Sequence, residues 1–209
     1  MRQAIRFFTG ALVMVVVVLC LSAAVTARAQ EAKPDAEGFV RDWLMLAPFP
    51  IAESSGADEI DKKQIAEEAS LKPKAGDKQK IGDKELEWKA IKSADYEVDL
   101  NKTLATDNEN VVGYLVAYVV CDKEMPDLTL LMGSNDQGKV YLNGKEVVKN
   151  TEGRTLDKDS DKAEKLTLDK GRNTIVFKVI NESNNWEGCL RFKDKDGKAV
   201  TNFVVKTAP

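Results

Sequence analysis

The sequence contains no histidine, only three cysteines and few aromatic residues, and these scarcities exclude several classes of function. Without histidine the chain lacks the commonest general base and the commonest metal ligand, and a Ser–His–Asp or Cys–His arrangement cannot be assembled. The P-loop, the HExxH motif and the GxSxG elbow are also absent. A carboxylate pair for glycoside hydrolysis stays open, but nothing in the sequence selects one of the 34 acids. We therefore expect a protein without enzymatic activity.

Residues 1–29 have the organisation of a secretory signal peptide. Arg2 and Arg6 precede an apolar run from Phe7 to Val25, and Ala27-Arg28-Ala29 gives the small-x-small pattern of a cleavage site. The run is interrupted by polar or small residues and is followed by a polar chain, which favours cleavage over a membrane anchor. We expect a secreted or periplasmic, cell-envelope protein with no membrane span once the leader is removed.

The charge balance argues against nucleic acid as a partner. Three of the 31 basic residues lie in the leader and no acids do, which leaves 28 basic against 34 acidic residues. Binding to nucleic acid requires a basic surface that displaces counterions from phosphate. The partner is expected to be of another kind.

Residues 30–39 are short, charged and contain a proline, which predicts a flexible lead-in. Residues 40–209 predict one domain, because short apolar runs alternate with turn signals such as Asn143-Gly144 throughout its second half. Val112–Asp122 is largely apolar on both faces, which indicates a central, covered strand. Alternation in two later strands predicts which side chains face the core: Ile175, Phe177 and Val179 but not Thr174, Val176 and Lys178, and Leu190 and Phe192 but not Cys189, Arg191 and Lys193. The pattern of about ten short strands predicts an all-β sandwich. The predicted strands are Asp42–Leu46, Lys84–Lys92, Tyr96–Leu100, Val112–Asp122, Asp127–Ser134, Gly138–Leu142, Glu146–Lys149, Lys165–Leu168, Asn173–Ile180, Gly188–Lys193 and Asn202–Lys206.

Glu53–Asp83 differs from the rest because it is rich in Lys, Asp, Glu and Ala and poor in large apolar residues. Ile60 and Ile65 fit one face of a short helix capped by Asp58, and the part after Leu71 is typical of a loop. We interpret this segment as a surface excursion that contains too little apolar surface for a core.

Cys121 and Cys189 are the cysteines outside the leader. An even number in an oxidising compartment predicts a disulfide, here between two segments that are both predicted strands. Two buried free thiols are the alternative.

Three segments together carry a family resemblance. The block from Leu130 to Val147 (LLMGSNDQGKVYLNGKEV) resembles the strand–turn–strand core of the sugar-binding jelly-roll domain of family 2 glycosidases, within the galactose-binding-like superfamily. Leu168–Val179 (LDKGRNTIVFKV) is similar to the family's L-x-x-G-x-N strand entry. Trp43–Pro50 (WLMLAPFP) is similar to the opening of exported bacterial modules of this type, with Ala47 where glycine is usual.

The resemblance implies a jelly-roll β-sandwich with one short helical or loop excursion after the first strand. Such domains are non-catalytic, many bind glycans, and others only pack against neighbouring domains. Fold analogy supports ligand binding by association alone.

A sugar site needs an aromatic face flanked by amides or carboxylates. Trp186 fits this pattern best because it lies in a polar loop beside Asn184 and Asn185, although the ring could instead cover the open end of the sandwich. Asn135 and Asp136 are further candidates, for which an Asx turn is an equal explanation. Trp88 has alternating neighbours and is either core or ligand platform.

Asp157, Asp159 and Asp161 alternate in the sequence DKDSD, a cluster of oxygen ligands that a calcium site could use. An EF-hand is excluded, because Lys162 occupies its glycine position and Leu168 its bidentate glutamate position. We interpret the cluster as a solvated loop, with a looser calcium site as the alternative, and expect no cofactor.

These observations give two hypotheses. The first is an exported, non-catalytic carbohydrate-binding module that interacts with a glycan. The second is a structural or assembly protein of the cell envelope that binds another protein, with Glu53–Asp83 as its docking element.

Overall fold

The computed structural model describes residues 31–82 and 84–209 and is a sandwich of antiparallel sheets, which confirms the predicted all-β class. The predicted signal peptide lies outside the described residues. None of the helices in the described part has the length and apolar composition needed to cross a membrane. The strands are β1 Glu31–Ala32, β2 Asp42–Pro50, β3 Lys78–Ile81, β4 Lys84–Glu87, β5 Lys89–Lys92, β6 Val98–Asp99, β7 Val111–Cys121, β8 Met125–Asn135, β9 Gly138–Leu142, β10 Lys145–Asn150, β11 Asp161–Leu168, β12 Gly171–Asn181, β13 Glu187–Lys193 and β14 Val204–Lys206.

The larger sheet is built around β7, which pairs with β12 along its whole length, from Cys121 opposite Gly171 to Val111 opposite Asn181. On its other edge β7 pairs with β2 near its start and with β14 near its end. β9 and β10 continue the sheet beyond β12, and β1 and β5 complete it. Nearly all of β7 is buried, so the prediction of a central, covered strand is confirmed.

The smaller sheet has the order β11-β8-β13-β6 and packs on one face of the larger sheet. Its inward side chains include Leu190 and Phe192, as the alternation in β13 predicts, and they meet Phe177 and Trp43 from the larger sheet. Aromatic and branched aliphatic side chains fill this inter-sheet core, whose burial supplies the main driving force for folding.

The segment 53–82 packs closely on the larger sheet, a placement that its interpretation as a surface excursion did not predict. It contains the short helix α1 (Gly56–Glu59), a 3₁₀ turn at Glu68–Ser70 and β3, and it covers the outer face of the larger sheet. Ile60 and Ile65 are buried there against β7 and β12, which makes a second hydrophobic cluster. The segment is poor in apolar residues, but the outer face of the larger sheet supplies most of the apolar side chains of this cluster.

A buried polar cluster fastens this segment to the sheet. Glu68 accepts hydrogen bonds from the hydroxyl of Tyr114 at 2.6 Å and that of Tyr141 at 2.8 Å. The Lys178 ammonium lies 3.6 Å from the same carboxylate and donates to the carbonyl oxygens of Glu59, Ile60 and Lys62. Burial lowers the pKa of Lys178 to about 8, because the charged form has lost its water. The alternation in β12 correctly predicts that Lys178 faces away from the inter-sheet core. The side chain is nevertheless fully buried, because the 53–82 segment covers that outer face.

The described part of the predicted lead-in, residues 31–39, contacts both sheets. β1 pairs with β14, and Phe39 is completely buried. The Arg191 guanidinium lies over the Phe39 ring at 4.5 Å and donates to the carbonyl oxygen of Glu37 at 3.1 Å. Contacts with distant strands therefore order a segment whose local sequence has no strong preference.

The predicted disulfide is not formed: Cys121 and Cys189 are both free and buried. Cys121 belongs to β7 and contributes to the inter-sheet core. Cys189 belongs to β13 in the other sheet and lies on its outer face, against Gly133 and the backbone of Asp157. The two side chains come from different sheets and the smaller sheet lies between them, so they cannot reach disulfide geometry.

We expect both thiols to resist modification in the folded protein. Burial raises the pKa of Cys121 to about 11 and that of Cys189 to about 12, so the reactive thiolate is scarce at neutral pH. A thiol reagent such as Ellman's reagent should label neither residue until denaturant is added, and then label both. Fast labelling of the native protein, or no labelling after denaturation without reductant, would contradict this assignment.

Candidate functional site

A polar cleft of about 440 Å³ opens at the end of the sandwich where β6 and β13 meet. We call it the end cleft. It lies between a short helix, α2 (Leu100–Leu104), with the loop that follows it, and the loop that joins β12 to β13. Its lining residues are Asp99, Asn101, Lys102, Ala105, Thr106, Asp107, Asn184 and Asn185.

The α2 wall begins at an N-cap. The Asp99 carboxylate accepts a hydrogen bond from the Lys102 backbone N–H at 2.8 Å, which satisfies one of the free donors of the first turn. The Leu100 N–H donates to the carbonyl oxygen of Trp186 at 2.8 Å and joins this wall to the opposite loop. The sequence pattern predicted a strand through Leu100, whereas the strand β6 ends at Asp99.

Asn101 holds the two walls at a fixed separation. Its amide donates to the carbonyl oxygen of Asn184 at 3.1 Å, and its side-chain oxygen accepts from the backbone and side chain of Asn108, both at 3.0 Å. Asn181 lies fully buried beneath them and donates to the carbonyl oxygens of Asn108 and Asn184. The cleft is thus preorganised by amide side chains, whereas its exposed groups stay free to meet a ligand.

Trp186, the candidate stacking platform, is 0 % exposed and offers no ring face to a ligand. Its indole N–H donates to the carbonyl oxygen of Val179 at 3.2 Å. The ring packs on the backbone of Gly113, where a Cβ would come within 2.7 Å of it. This placement corresponds to the alternative interpretation, in which the ring covers the end of the sandwich. Trp88 is also buried, in the cluster beneath the 53–82 segment.

Of the six candidate ligand residues, the structure brings Asn184 and Asn185 together in the end cleft, and both are exposed. Asn135 and Asp136 do not line it. The Asp136 carboxylate accepts from the backbone N–H groups of Arg154 at 3.0 Å and Glu182 at 2.9 Å, so its oxygens connect two loops. Its role here is structural, but the bonds reach 18 and 46 positions along the chain and are not those of an Asx turn.

The alternating aspartates do not converge on one point. Asp159 pairs with Arg191 and Lys193, and Asp161 pairs with Arg154. The Arg191 partner offsets burial and holds the pKa of Asp159 below its usual range. Within residues 31–82 and 84–209 no group of three candidate ligands is placed to hold a metal ion. Asp159 pairs with basic side chains of β13, and Asp161 pairs with Arg154 of the loop that precedes β11.

Beside the end cleft, the electrostatics are acidic. Burial raises the pKa of the Glu187 carboxyl, and the charges of Asp99 and Glu97 raise it further. The Asn185 amide lies 3.4 Å from that carboxyl, as a donor to it. Lys102 contributes a cation on the α2 side, and Asp107 an exposed carboxylate.

The arrangement offers amide, carboxylate, hydroxyl and ammonium groups around one concave surface, which can form hydrogen bonds with several hydroxyl groups of a ligand. The α2-side residues were missed by the sequence reasoning. Asp99 is separated from Asn184 by 85 positions, and no local pattern indicates that the two are neighbours. An N-cap pattern, Asp99 followed by a polar Asn-Lys-Thr turn, was the only available signal for α2.

No protein-family model and no curated protein matches the chain. Solved structures that are similar include a PA14 sugar-binding domain from an RTX adhesin, with a TM-score of 0.42 and 11 % identity over 78 % of this chain and 96 % of that one. A β-glucuronidase from an uncultured Clostridium species has a TM-score of 0.37 and 11 % identity, over 80 % of this chain and 29 % of that one. A GH31 α-xylosidase from Xanthomonas citri gives 0.29 and 13 %, over 85 % of this chain and 19 % of that one.

Proposed function

We propose that this is an exported, non-catalytic carbohydrate-binding protein whose glycan site is the end cleft. The observation that carries the proposal is the composition of that cleft: exposed amides from one loop face a lysine, a threonine and a carboxylate from the other. Groups of this kind pair with the vicinal hydroxyls of a sugar, which both donate and accept hydrogen bonds.

The free atoms of the cleft support this assignment. Both polar atoms of the Asn101 side chain are hydrogen-bonded to the cleft walls. Lys102 and Asp107, in contrast, form no ion pair with another described residue. The amide of Asn185 has a long contact at 3.4 Å to Glu187, and its oxygen is open. A ligand therefore meets preorganised partners and does not have to displace strong internal bonds.

All three tryptophans are buried, so the cleft binds without an indole platform. Binding then depends on hydrogen bonds with groups that water also satisfies, and the expected affinity is modest, with a dissociation constant on the order of 1 mM for a short oligosaccharide. Repetition of the ligand along a polysaccharide raises the effective affinity by multivalency.

The absence of histidine from the sequence and the leader-like residues 1–29 support the non-catalytic and exported parts of the proposal. The location is then the cell envelope or the surrounding medium. The envelope-assembly alternative relied on residues 53–83 as a docking element, and the apolar side chains of the described part of that segment pack on the sheet instead.

The test is a glycan array, followed by titration of the best binder against the wild type and four variants. Asp107→Ala and Asn185→Ala are each expected to weaken binding about fivefold to tenfold, because each removes one polar partner of the ligand. Asp58→Ala and Asn202→Ala change the same residue types at exposed positions outside the cleft and should leave affinity unchanged.

Two outcomes contradict the proposal. Absence of binding to every glycan removes the carbohydrate function, whereas binding that Asp107→Ala and Asn185→Ala leave intact removes the end cleft as the site. Turnover of a bound polysaccharide, measured by release of reducing ends, contradicts the non-catalytic assignment.

A further inference from the structure

We propose that a second cleft, at the opposite end of the sandwich, binds a tetrahedral oxyanion, that is, the sulfate or phosphate group of a ligand. This cleft has a volume of about 270 Å³ and is lined by Ser70, Lys72, Asn143, Gly144, Arg172 and Thr174. We call it the basic cleft. None of its lining residues is acidic, although the chain as a whole carries more acidic than basic residues.

Three separate parts of the chain form the basic cleft. Ser70 and Lys72 come from the middle of the 53–82 segment, Asn143 and Gly144 from the β9–β10 turn, and Arg172 from the start of β12. A side chain of the sheet joins two of these parts. The Tyr118 hydroxyl donates to the carbonyl oxygen of Pro73 at 2.7 Å, and the Arg172 guanidinium carbon lies 5.9 Å from the centre of the Tyr118 ring.

The turn side of the cleft is rigid. Asn143 and Gly144 both adopt positive φ, +52° and +82°, as a two-residue hairpin turn requires. The Asn143 side chain accepts from the Thr174 backbone N–H at 2.8 Å and donates to the Asn173 side-chain oxygen at 2.8 Å. These bonds fix the turn against β12, so the opening between the turn and Lys72 has a defined shape.

The two cations of the cleft are not neutralised. Neither Lys72 nor Arg172 has a carboxylate within ion-pair distance among residues 31–82 and 84–209. Two carboxylates lie near the cleft without pairing with either cation. Asp169 lies 3.5 Å from the Asn143 amide, and Asp77 accepts a hydrogen bond from the Lys74 backbone N–H at 3.0 Å. Many other basic side chains, such as Lys139, Lys149 and Arg191, are paired with acids. An anion would supply the partner that Lys72 and Arg172 lack.

Hydroxyl groups complete the donor set. Thr174 is 9 % exposed, and its hydroxyl makes no hydrogen bond with another described residue. The Ser70 hydroxyl has only a long contact, 3.3 Å, to the carbonyl oxygen of Glu67. A guanidinium provides parallel N–H donors for two oxygens of an oxyanion, an ammonium a mobile point charge, and hydroxyls further donors. A tetrahedral group has enough oxygens to use them together, whereas a carboxylate has two.

The basic cleft is independent of the end cleft. Arg172 and Asn181 stand near opposite ends of β12, which at the rise of a β-strand places the two clefts about 30 Å apart. Failure of glycan binding at the end cleft would therefore leave this proposal standing, and the reverse also holds.

The experiment is a titration of the protein with sodium sulfate and with sodium phosphate, at ionic strength kept constant with sodium chloride. Heat of binding and the amide NMR signals of Asn143, Gly144 and Thr174 are the readouts. Arg172→Gln and Lys72→Gln are each expected to weaken oxyanion binding about tenfold, because each removes a charge-assisted hydrogen bond. Lys33→Gln makes the same charge change at an exposed position outside the cleft and should leave affinity within twofold.

Glucuronate and glucose distinguish the ligand class. Weaker binding of glucuronate than of sulfate, and no shift of these signals with glucose, support the oxyanion assignment. It is overturned if glucuronate binds as tightly as sulfate, if chloride alone produces the same shifts, or if the Arg172→Gln/Lys72→Gln protein binds sulfate like the wild type. Both substituted side chains are exposed, and an unchanged thermal midpoint verifies that each variant is folded.

Discussion

Replacing Trp186 with alanine is expected to lower the free energy of unfolding by about 4 kcal/mol, the cost typical of truncating a buried aromatic side chain. The ring is completely buried between Gly113, Leu100 and the inter-sheet core, and its N–H is bonded to Val179. Truncation leaves a cavity and removes the hydrogen bond to the Val179 carbonyl oxygen. Because Leu100 is bonded to the Trp186 backbone, the α2 wall of the end cleft should loosen as well.

Denaturant unfolding followed by circular dichroism measures the effect. Trp186→Phe serves as the matched variant, since it keeps most of the apolar volume and loses only the hydrogen bond and part of the ring, so a clearly smaller loss is expected. A Trp186→Ala protein with wild-type stability but no glycan affinity would reverse the interpretation and make the ring a ligand platform. The same experiment thus decides whether Trp186 covers the end of the sandwich or serves as a ligand platform, the two roles that its sequence context allows.

Replacing Glu68 with alanine is expected to cost about 3 kcal/mol or more, because removal of one partner leaves the rest of a buried polar cluster uncompensated. Tyr114 and Tyr141 would lose the carboxylate that accepts their hydroxyl hydrogen bonds. Lys178 would lose the buried carboxylate that lies 3.6 Å from its ammonium group. The 53–82 segment should detach locally, since these bonds connect it to the sheet.

Hydrogen exchange of the amides around Ile60 and Ile65, together with denaturant unfolding, measures this outcome. Glu53→Ala removes an exposed carboxylate at the start of the same segment and should change neither the hydrogen exchange rates nor the free energy of unfolding. Glu68→Gln/Lys178→Met removes both charges and retains an acceptor for the tyrosines, so it should be less destabilised than Glu68→Ala. Equal exchange in Glu68→Ala and in the wild type would show that the apolar contacts alone hold the segment.

Local chemistry predicted the strands well. The apolar run of β7 was identified within one residue at each end, and the Asn143-Gly144 hairpin lies where its turn signal stands. The alternation of β12 and β13 separated the inward side chains Phe177 and Leu190 from their neighbours. Each of these features depends on residues adjacent in sequence, and turn preference and side-chain period act over that range.

The candidate site was predicted only in part. Asn184 and Asn185 line the end cleft, but Trp186, the next residue in the chain, points into the core. A polar loop indicates where the backbone is exposed, but it does not indicate which way one large side chain turns. Asp99, Lys102 and Asp107 join the cleft through pairing of β6 with β13, a contact between segments far apart in the chain.

The sequence by itself determined the class of the fold, the positions of most strands from β7 onward, the turns between them and the lack of histidine chemistry. Only the tertiary structure decided which faces are covered. It folded the charged 53–82 segment onto the larger sheet, separated Cys121 from Cys189 by placing them on different sheets, and brought Arg172 beside Lys72. The physical reason is that turn and strand preferences act between neighbouring residues, whereas burial, ion pairing and cleft formation depend on surfaces that meet only after the chain has folded.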